Sequence, residues 1–157
     1  MQQKTHTDYK TINSQLKSLI ENVDNPISNL ANASALLWEN LENINWVGFY
    51  TKNKNLELGP FQGKVACTKI EIGKGVCGTA VAENKTQRIE NVHLFPGHIA
   101  CDGASNSEIV IPIHKGKETI GVLDIDSPSF GRFSEKRWSF PEKYSMIAES
   151  QDCISIM

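Results

Sequence analysis

Apolar residues recur with the period of an α-helix in the first part of the chain. The pattern runs from Tyr9 to Val23, and a turn sequence that begins at Asp24 then interrupts it. A second helical pattern begins at Pro26, a residue suited to the first turn of a helix, and continues to about Leu41. The sequence therefore predicts two amphipathic helices that cover one face of a sheet.

Runs of β-favouring residues, separated by turn residues, follow the two helices. The predicted strands are rich in aromatic and β-branched residues. They cover residues 46–51, 56–61, 65–70, 86–89, 108–114 and 119–126. The last two are joined by residues 115–117, a short glycine-containing connection typical of a β-hairpin. Two helices, then antiparallel strands, then a final helix expected after Ser134 indicate an α+β domain.

Two segments between the strands break the regular pattern. Glycines at 72–78 predict a tight turn that leads into a short helix, with Cys77 in its first turn. Residues 91–107 contain Pro, Gly, Asn and Ser without any periodicity, which predicts a long irregular loop. Loops of that length in compact domains are often functional. Both His98 and Cys101 lie in this loop.

Size and charge narrow the class of protein. The 157 residues fit one domain, 1–157, whose tail after about residue 136 is irregular. The net charge is −2 and the basic residues are scattered, so nucleic acid and anionic membrane are not expected partners. The polar N-terminus resembles no secretory signal, and no apolar run approaches the ~18 residues that span a bilayer. A cytoplasmic location is therefore expected.

Four cysteines are too few for a disulfide scaffold in a chain of this length. In a reducing compartment they are expected to be catalytic, redox-sensing or metal-bound, unless they are simply small buried hydrophobic residues. Cys77 has a claim to reactivity because a helix N-terminus stabilises a thiolate. Cys101 has better access to a substrate and has His98 three residues away, although a direct role of His98 is not favoured. Zinc ligation by Cys67, Cys77, His98 and Cys101 lacks the usual CxxC spacing.

Carboxylates are placed together by strand alternation. Asp124 and Asp126 face the same side of one strand, roughly 7 Å apart. Glu108 begins the neighbouring strand and joins them if the register allows. If this face of the sheet is enclosed, the pKa of at least one carboxyl group is expected to be raised. The alternative interpretation is a sheet face that is exposed to solvent. Three acids would suit an ammonium group; a divalent metal is less expected because no companion ligands have a recognised spacing.

Aromatic side chains offer a second wall for a binding site. Trp46 and Tyr50 are four residues apart in a predicted strand, so both face the same side of the sheet. They could form an apolar wall of a pocket, and an aromatic pair in the core is an equally good interpretation.

Six short motifs occur together in the chain. They are LANASALL at 30–37, NWVGFY at 45–50, GVCGTA at 75–80, FPGHIACD at 95–102, SNSEIVIPI at 105–113 and GVLDIDSP at 121–128. In this order the chain resembles the free methionine-(R)-sulfoxide reductases, a family of GAF-domain enzymes, over roughly residues 16–134. The resemblance implies a GAF fold, with a central antiparallel sheet, helices packed on one face and a loop-capped pocket on the other.

The resemblance also implies roles for the thiols. Cys101 would be the nucleophile, which overrules the dipole argument for Cys77. Its sulfenic acid would condense with Cys67 to an intramolecular disulfide, which thioredoxin would reduce as the external reductant. Cys77 would be a further thiol that could substitute or assist, so the main resolving thiol stays open between Cys67 and Cys77. No bound cofactor or metal is implied.

By the same resemblance, the substrate is free L-methionine-(R)-sulfoxide. Glu108, Asp124 and Asp126 would hold its ammonium group and the polarised sulfoxide oxygen, while Trp46 and Tyr50 would contact its methyl end. A pocket that reads both free ends of the amino acid would refuse methionine within a peptide.

The end of the chain departs from the family. After Glu135 the usual amphipathic helix pattern is lost, and Cys153 in this tail matches no family position. Gly103 stands where the family also has alanine. The resemblance allows a homodimer for this protein, and loss of the tail pattern would weaken the cover of the sheet or the dimer contact rather than the chemistry. The alternative function is a non-catalytic GAF module that binds a small ligand or senses redox state.

Overall fold

A computed structural model describes residues 8–134 of the chain. Its helices are α1 (Tyr9–Ile20), α2 (Pro26–Asn40) and α3 (Gly75–Glu83). Its strands are β1 (Trp46–Lys52), β2 (Leu56–Gly63), β3 (Lys69–Ile70), β4 (Gln87–Ile89), β5 (Ser107–Lys115) and β6 (Glu118–Ser127). A 3₁₀ turn covers Val92–Leu94. The predicted final helix and the tail lie outside the described residues.

Side-chain caps begin the first two helices. Asp8 accepts hydrogen bonds from the backbone N–H groups of the first turn of α1, and Asn25 does the same for α2, where Pro26 occupies the first turn. The first helix ends at Ile20 rather than at the predicted Val23. Asn22 adopts a left-handed conformation with φ of 64°, which turns the chain away before Val23 is reached.

The six strands form one antiparallel sheet in the order β3-β2-β1-β6-β5-β4. The hairpin between β5 and β6 was predicted from its short turn and is confirmed. Strands β1 and β6, distant in sequence, pair at the centre of the sheet. This pairing brings the first predicted strand against the strand that contains the two aspartates.

The two faces of the sheet have separate cores. On one face α1 and α2 pack through apolar side chains such as Leu16 and Leu37 against Phe49 and Ile125. On the other face α3 packs through Val76 and neighbouring residues. The predicted GAF architecture is confirmed, with two helices on one face and a loop-capped pocket on the other; α3 forms part of that pocket's wall. No helix within residues 8–134 has the length and apolar character needed to cross a membrane.

The predicted strand at 65–70 is mostly not a strand. Only Lys69–Ile70 pairs with β2. Two side chains of β1 instead bind backbone carbonyl oxygens of residues that precede Lys69. Trp46 Nε1 donates to Lys64 O at 3.1 Å, and the Tyr50 hydroxyl donates to Cys67 O at 3.1 Å. These bonds hold residues 64–67 over the sheet as a loop.

Candidate active site

Strand register gathers three carboxyl groups on the face opposite α1 and α2. In β6, Asp126 lies opposite Trp46 of β1 on one side and opposite Glu108 of β5 on the other. One pleat away, Asp124 lies opposite Gly48. The expectation that Glu108 joins the two aspartates depended on register, and the register places it directly beside Asp126.

The carboxyl groups are enclosed rather than solvated. Glu108 and Asp124 are each 6% exposed, and Asp126 is half-buried. Burial raises the pKa of all three well above the ordinary values, and the neighbouring carboxyl groups raise them further: Asp126 acts on Glu108, Glu108 on Asp124, and Asp124 on Asp126. Such groups can hold a proton near neutral pH, and they can accept a cation.

Aromatic rings form the second wall of the pocket. Trp46 and Tyr50 face the same side, as predicted, with ring centroids 6.0 Å apart. Phe61 of β2 stacks on Trp46 at 5.2 Å and was not anticipated from the sequence. The Tyr50 hydroxyl is engaged by Cys67 O, and burial raises its pKa, so it is a neutral donor that holds the loop.

Two thiols predicted to react with each other are joined. Cys67 and Cys101 form a disulfide with their Cα atoms 5.7 Å apart and a sequence separation of 34. Cys101 also lines the pocket together with the three acids. The four-residue zinc set considered from the sequence is not assembled, because Cys67 and Cys101 bond to each other.

Cys77 lies in the first turn of α3, as predicted, but its environment is not activating. The side chain is 3% exposed. Burial raises the pKa of its thiol well above the ordinary value, and the charges of Asp124 and Glu108 raise it further. The argument that the helix dipole makes Cys77 a ready thiolate is therefore wrong, because desolvation and nearby acids outweigh the dipole.

Comparison with known proteins agrees with this geometry. A family model described as GAF domain matches residues 30–142. The Escherichia coli protein named free methionine-R-sulfoxide reductase is 56% identical over 129 residues, covering 82% of this chain and 78% of that protein. The chain belongs to the free methionine-R-sulfoxide reductase family of GAF-domain proteins.

Solved structures of this family have the same fold. The reduced form of Staphylococcus aureus fRMsr is 49% identical, with a TM-score of 0.87 over 100% of both chains. Free methionine-R-sulfoxide reductase from Neisseria meningitidis, in complex with its substrate, is 37% identical with a TM-score of 0.87 and covers 94% of this chain and 89% of that chain.

In this free methionine-R-sulfoxide reductase family member, a polar network holds the loop that contains Cys101. Asn45 Nδ2 donates to Asp102 Oδ2 at 3.2 Å and to Ser105 Oγ at 3.0 Å. The other Asp102 oxygen accepts from the Ala104 N–H at 2.9 Å. Sequence reasoning missed this network. Asn45 and Asp102 both lie within quoted motifs, but no spacing in the sequence connects them.

His98 lies closer to the carboxyl groups of the pocket than the sequence indicated. Its Nε2 is 3.6 Å from Glu108 Oε2, and its side chain is 15% exposed. Burial lowers the pKa of His98, while the pKa of Glu108 is raised. Burial therefore disfavours the charged form of both partners in this contact, and His98 is one of the residues that line the pocket.

Proposed function

We propose that this protein reduces free L-methionine-(R)-sulfoxide to methionine, with Cys101 as the nucleophile. The observation that supports this most is the position of Cys101, whose side chain lines the acid-walled pocket and is bonded to Cys67. Relatives named for this activity, including one with 56% identity, support the choice of substrate.

Buried acids suit the two polar features of this substrate. The ammonium group would be held by Glu108, Asp124 and Asp126, which line the same pocket and would pair with its positive charge. A carboxyl group that keeps its proton near neutral pH can also donate a hydrogen bond, and then a proton, to the sulfoxide oxygen. Trp46 would contact the methyl end, while Tyr50 completes the wall and holds the loop.

The chemistry then balances in two steps. The Cys101 thiolate attacks the sulfoxide sulfur as the oxygen takes a proton from the acid cluster, and transfer of that oxygen to Cys101 releases methionine and leaves a sulfenic acid. The Cys67 thiol then attacks the Cys101 sulfur, the disulfide forms and water leaves. A dithiol reductant such as thioredoxin then reduces the Cys67–Cys101 disulfide. This restores both thiols and leaves the reductant oxidised.

Cys67 is favoured over Cys77 as the resolving thiol. Cys67 already lies at bonding distance from Cys101 and is half-buried, so an external reductant can reach it. Cys77 is buried, and its raised pKa keeps it a thiol. Cys77 would act only when Cys67 is absent.

The decisive measurement is turnover with free L-methionine-(R)-sulfoxide, followed as NADPH oxidation through thioredoxin reductase and thioredoxin. We expect Cys101→Ser to abolish turnover and the S epimer to react little. Cys153→Ser is the matched control, because it removes a thiol that the proposed chemistry does not use and should keep wild-type rates. Turnover that survives in Cys101→Ser would exclude Cys101 as the nucleophile.

A single-turnover experiment tests the resolving thiol. Cys67→Ser should still release about one methionine per enzyme, because oxygen transfer needs only Cys101. It should then cycle poorly and accumulate a sulfenic acid detectable by mass spectrometry. A Cys77→Ser enzyme that shows this defect instead, while Cys67→Ser cycles normally, would assign resolution to Cys77.

A further inference from the structure

Three potential metal ligands meet at the floor of the pocket. Cys77 of α3, Glu108 of β5 and Asp124 of β6 each offer one ligand atom, and these atoms all lie within 4.8 Å of one another. All three side chains are buried, with exposed fractions of 3%, 6% and 6%. The group is separate from the disulfide, which Cys67 and Cys101 form.

One atom of this group lacks a partner. Oδ1 of Asp124 is buried and makes no hydrogen bond to any described residue. A buried oxygen without a hydrogen bond loses its hydration without compensation, at a cost of about 1–3 kcal/mol. Asp124 is also one of the residues that line the pocket, together with Cys77 and Glu108.

We propose that Cys77, Glu108 and Asp124 form a binding site for Zn²⁺. Zinc accepts thiolate and carboxylate ligands together, whereas Mg²⁺ and Ca²⁺ prefer oxygen ligands alone. When the ion binds, the Cys77 thiol and any protonated carboxyl group among the ligands release their protons to solvent. Zn–S and Zn–O bonds of about 2.3 and 2.1 Å place the ligand atoms of a tetrahedral site about 3.3–3.6 Å apart. Side-chain rotations that draw the three atoms together by about 1 Å complete the site.

The surroundings favour the same ion. His98 Nε2 is 3.6 Å from Glu108 Oε2, so an imidazole nitrogen lies near one of the three ligands. Zinc commonly takes such a mixture of thiolate, carboxylate and imidazole. The site needs neither Cys67 nor Cys101, and it forms in the disulfide state of the protein as well as in the reduced state.

Zinc and substrate compete for the same oxygens. This part of the inference rests on the proposed function, in which Glu108 and Asp124 hold the substrate ammonium group. A zinc ion on those carboxylates prevents the ammonium from binding, so zinc is a competitive inhibitor against methionine sulfoxide. Oxidation of Cys101 does not relieve the effect.

Metal binding is measured first, without turnover. The protein used is Cys153→Ser with the Cys67–Cys101 disulfide formed, so that Cys77 is its one free thiol. Zn²⁺ affinity is obtained by competition with a chelating dye, and Co²⁺ substitution reports thiolate ligation through its charge-transfer band. We expect one ion per chain, and affinity at least about tenfold weaker in Cys77→Ser and in Asp124→Asn.

Controls separate ligation from misfolding. Cys67→Ser/Cys101→Ser, also without Cys153, should bind zinc as the parent does. Each variant is checked by thermal unfolding, and Cys77→Ala replaces Cys77→Ser if the serine variant does not fold. Absence of binding in the parent, or affinity unchanged by both Cys77→Ser and Asp124→Asn, would overturn the site.

Substrate competition is measured on the same protein. Added methionine sulfoxide should weaken the apparent zinc affinity in the dye assay. Zinc binding that is indifferent to methionine sulfoxide would overturn the shared use of the carboxylates. Failure of the enzyme to turn over methionine sulfoxide, with zinc binding intact, would count against the proposed function and not against the metal site.

Discussion

Asp124 shows how a single residue trades stability for chemistry. Its carboxyl group is 6% exposed, beside Glu108 and the Cys77 thiol, and one of its oxygens has no hydrogen-bond partner. A side chain chosen for packing alone would be apolar at this position. We therefore expect Asp124 to lower the stability of the free protein, and we propose that it serves to bind a cation or to donate a proton to a ligand in the pocket.

Stability of the Asp124→Asn variant should reveal this cost. Burial raises the pKa of Asp124 above its ordinary value of 3.8, so the folded chain keeps a proton that the unfolded chain has released. The stabilisation from that proton is complete below about pH 3.8 and is lost as the pH rises through the raised pKa. Asparagine does not ionise, so the variant should be more stable than wild type at pH 7 by at least about 1 kcal/mol.

Urea unfolding at several pH values measures the difference between Asp124→Asn and wild type. The advantage of the variant should grow as the pH rises from about 4 towards neutrality. Its turnover should fall on the order of 100-fold, since a carboxyl group that we propose binds and protonates the substrate is lost. A variant that is less stable than wild type at every pH would show that the folded protein stabilises the Asp124 carboxylate instead of destabilising it.

Tyr50 acts on the Cys67 loop through its hydroxyl group, which donates to Cys67 O at 3.1 Å. Tyr50→Phe keeps the ring and removes that bond, so we expect a loss of about 1 kcal/mol in the free energy of unfolding. Disulfide formation after one turnover should slow, because the loop that presents Cys67 is less well held. Quenched-flow mass spectrometry measures that rate, and an unchanged rate would limit the hydroxyl to a structural role.

At the scale of elements, β1 depends on Gly48 to shape the aromatic wall. A Cβ at Gly48 would lie 2.3 Å from the Cβ of Phe61 and 2.8 Å from Trp46 Cη2. The missing side chain lets the two rings stack and leaves room opposite Asp124. Glycine at position 48 allows β1 to pair with β2 and β6 and also to form a wall of the pocket.

Gly48→Ala should therefore displace the aromatic rings that form one wall of the pocket. We expect it to destabilise the protein by about 1–3 kcal/mol and to raise KM, since Trp46 and Phe61 must shift. Gly103→Ala is the matched control, because a Cβ at Gly103 would meet nothing within 4 Å. Thermal unfolding and substrate kinetics on both variants make the comparison. Equal behaviour of the two variants would contradict the close packing at Gly48.

At the scale of the whole molecule, the Cys67–Cys101 disulfide joins two loops that connect to different strands of the sheet. Cys67 follows β2 and Cys101 precedes β5, with a sequence separation of 34. Between them lie β3, α3 and β4, so the closed loop contains the helix that lines the pocket floor. Oxidation therefore constrains the whole cap of the active site.

Reduction should make the protein measurably less stable. Closing a loop of 34 residues removes chain entropy from the unfolded state equivalent to about 3–4 kcal/mol. The oxidised protein should unfold at a higher temperature than the protein in excess dithiol. Cys67→Ser should show no response to dithiol, and a large response in that variant would assign the effect to another thiol.

Much of this architecture could be predicted from the sequence because its signals are local. The helical period, the alternation in GVLDID and the glycine turn before Cys77 depend on neighbours within a few residues, and α2, β6 and the start of α3 follow them closely. The strand predicted at 65–70 was mostly wrong, because side chains of β1 bind the carbonyl oxygens of Lys64 and Cys67 and hold residues 64–67 as a loop. No local pattern contains that competition.

The sequence by itself determined that Asp124 and Asp126 share a face, and that Trp46 and Tyr50 share a face. Only the tertiary structure decided that Glu108 lies opposite Asp126, that Asn45 holds Asp102, and that Cys77 is buried against acids instead of being activated by its helix. The reason is physical: alternation depends on bond geometry along one strand, whereas register, burial and the pKa values they shift depend on which distant segments exclude water together.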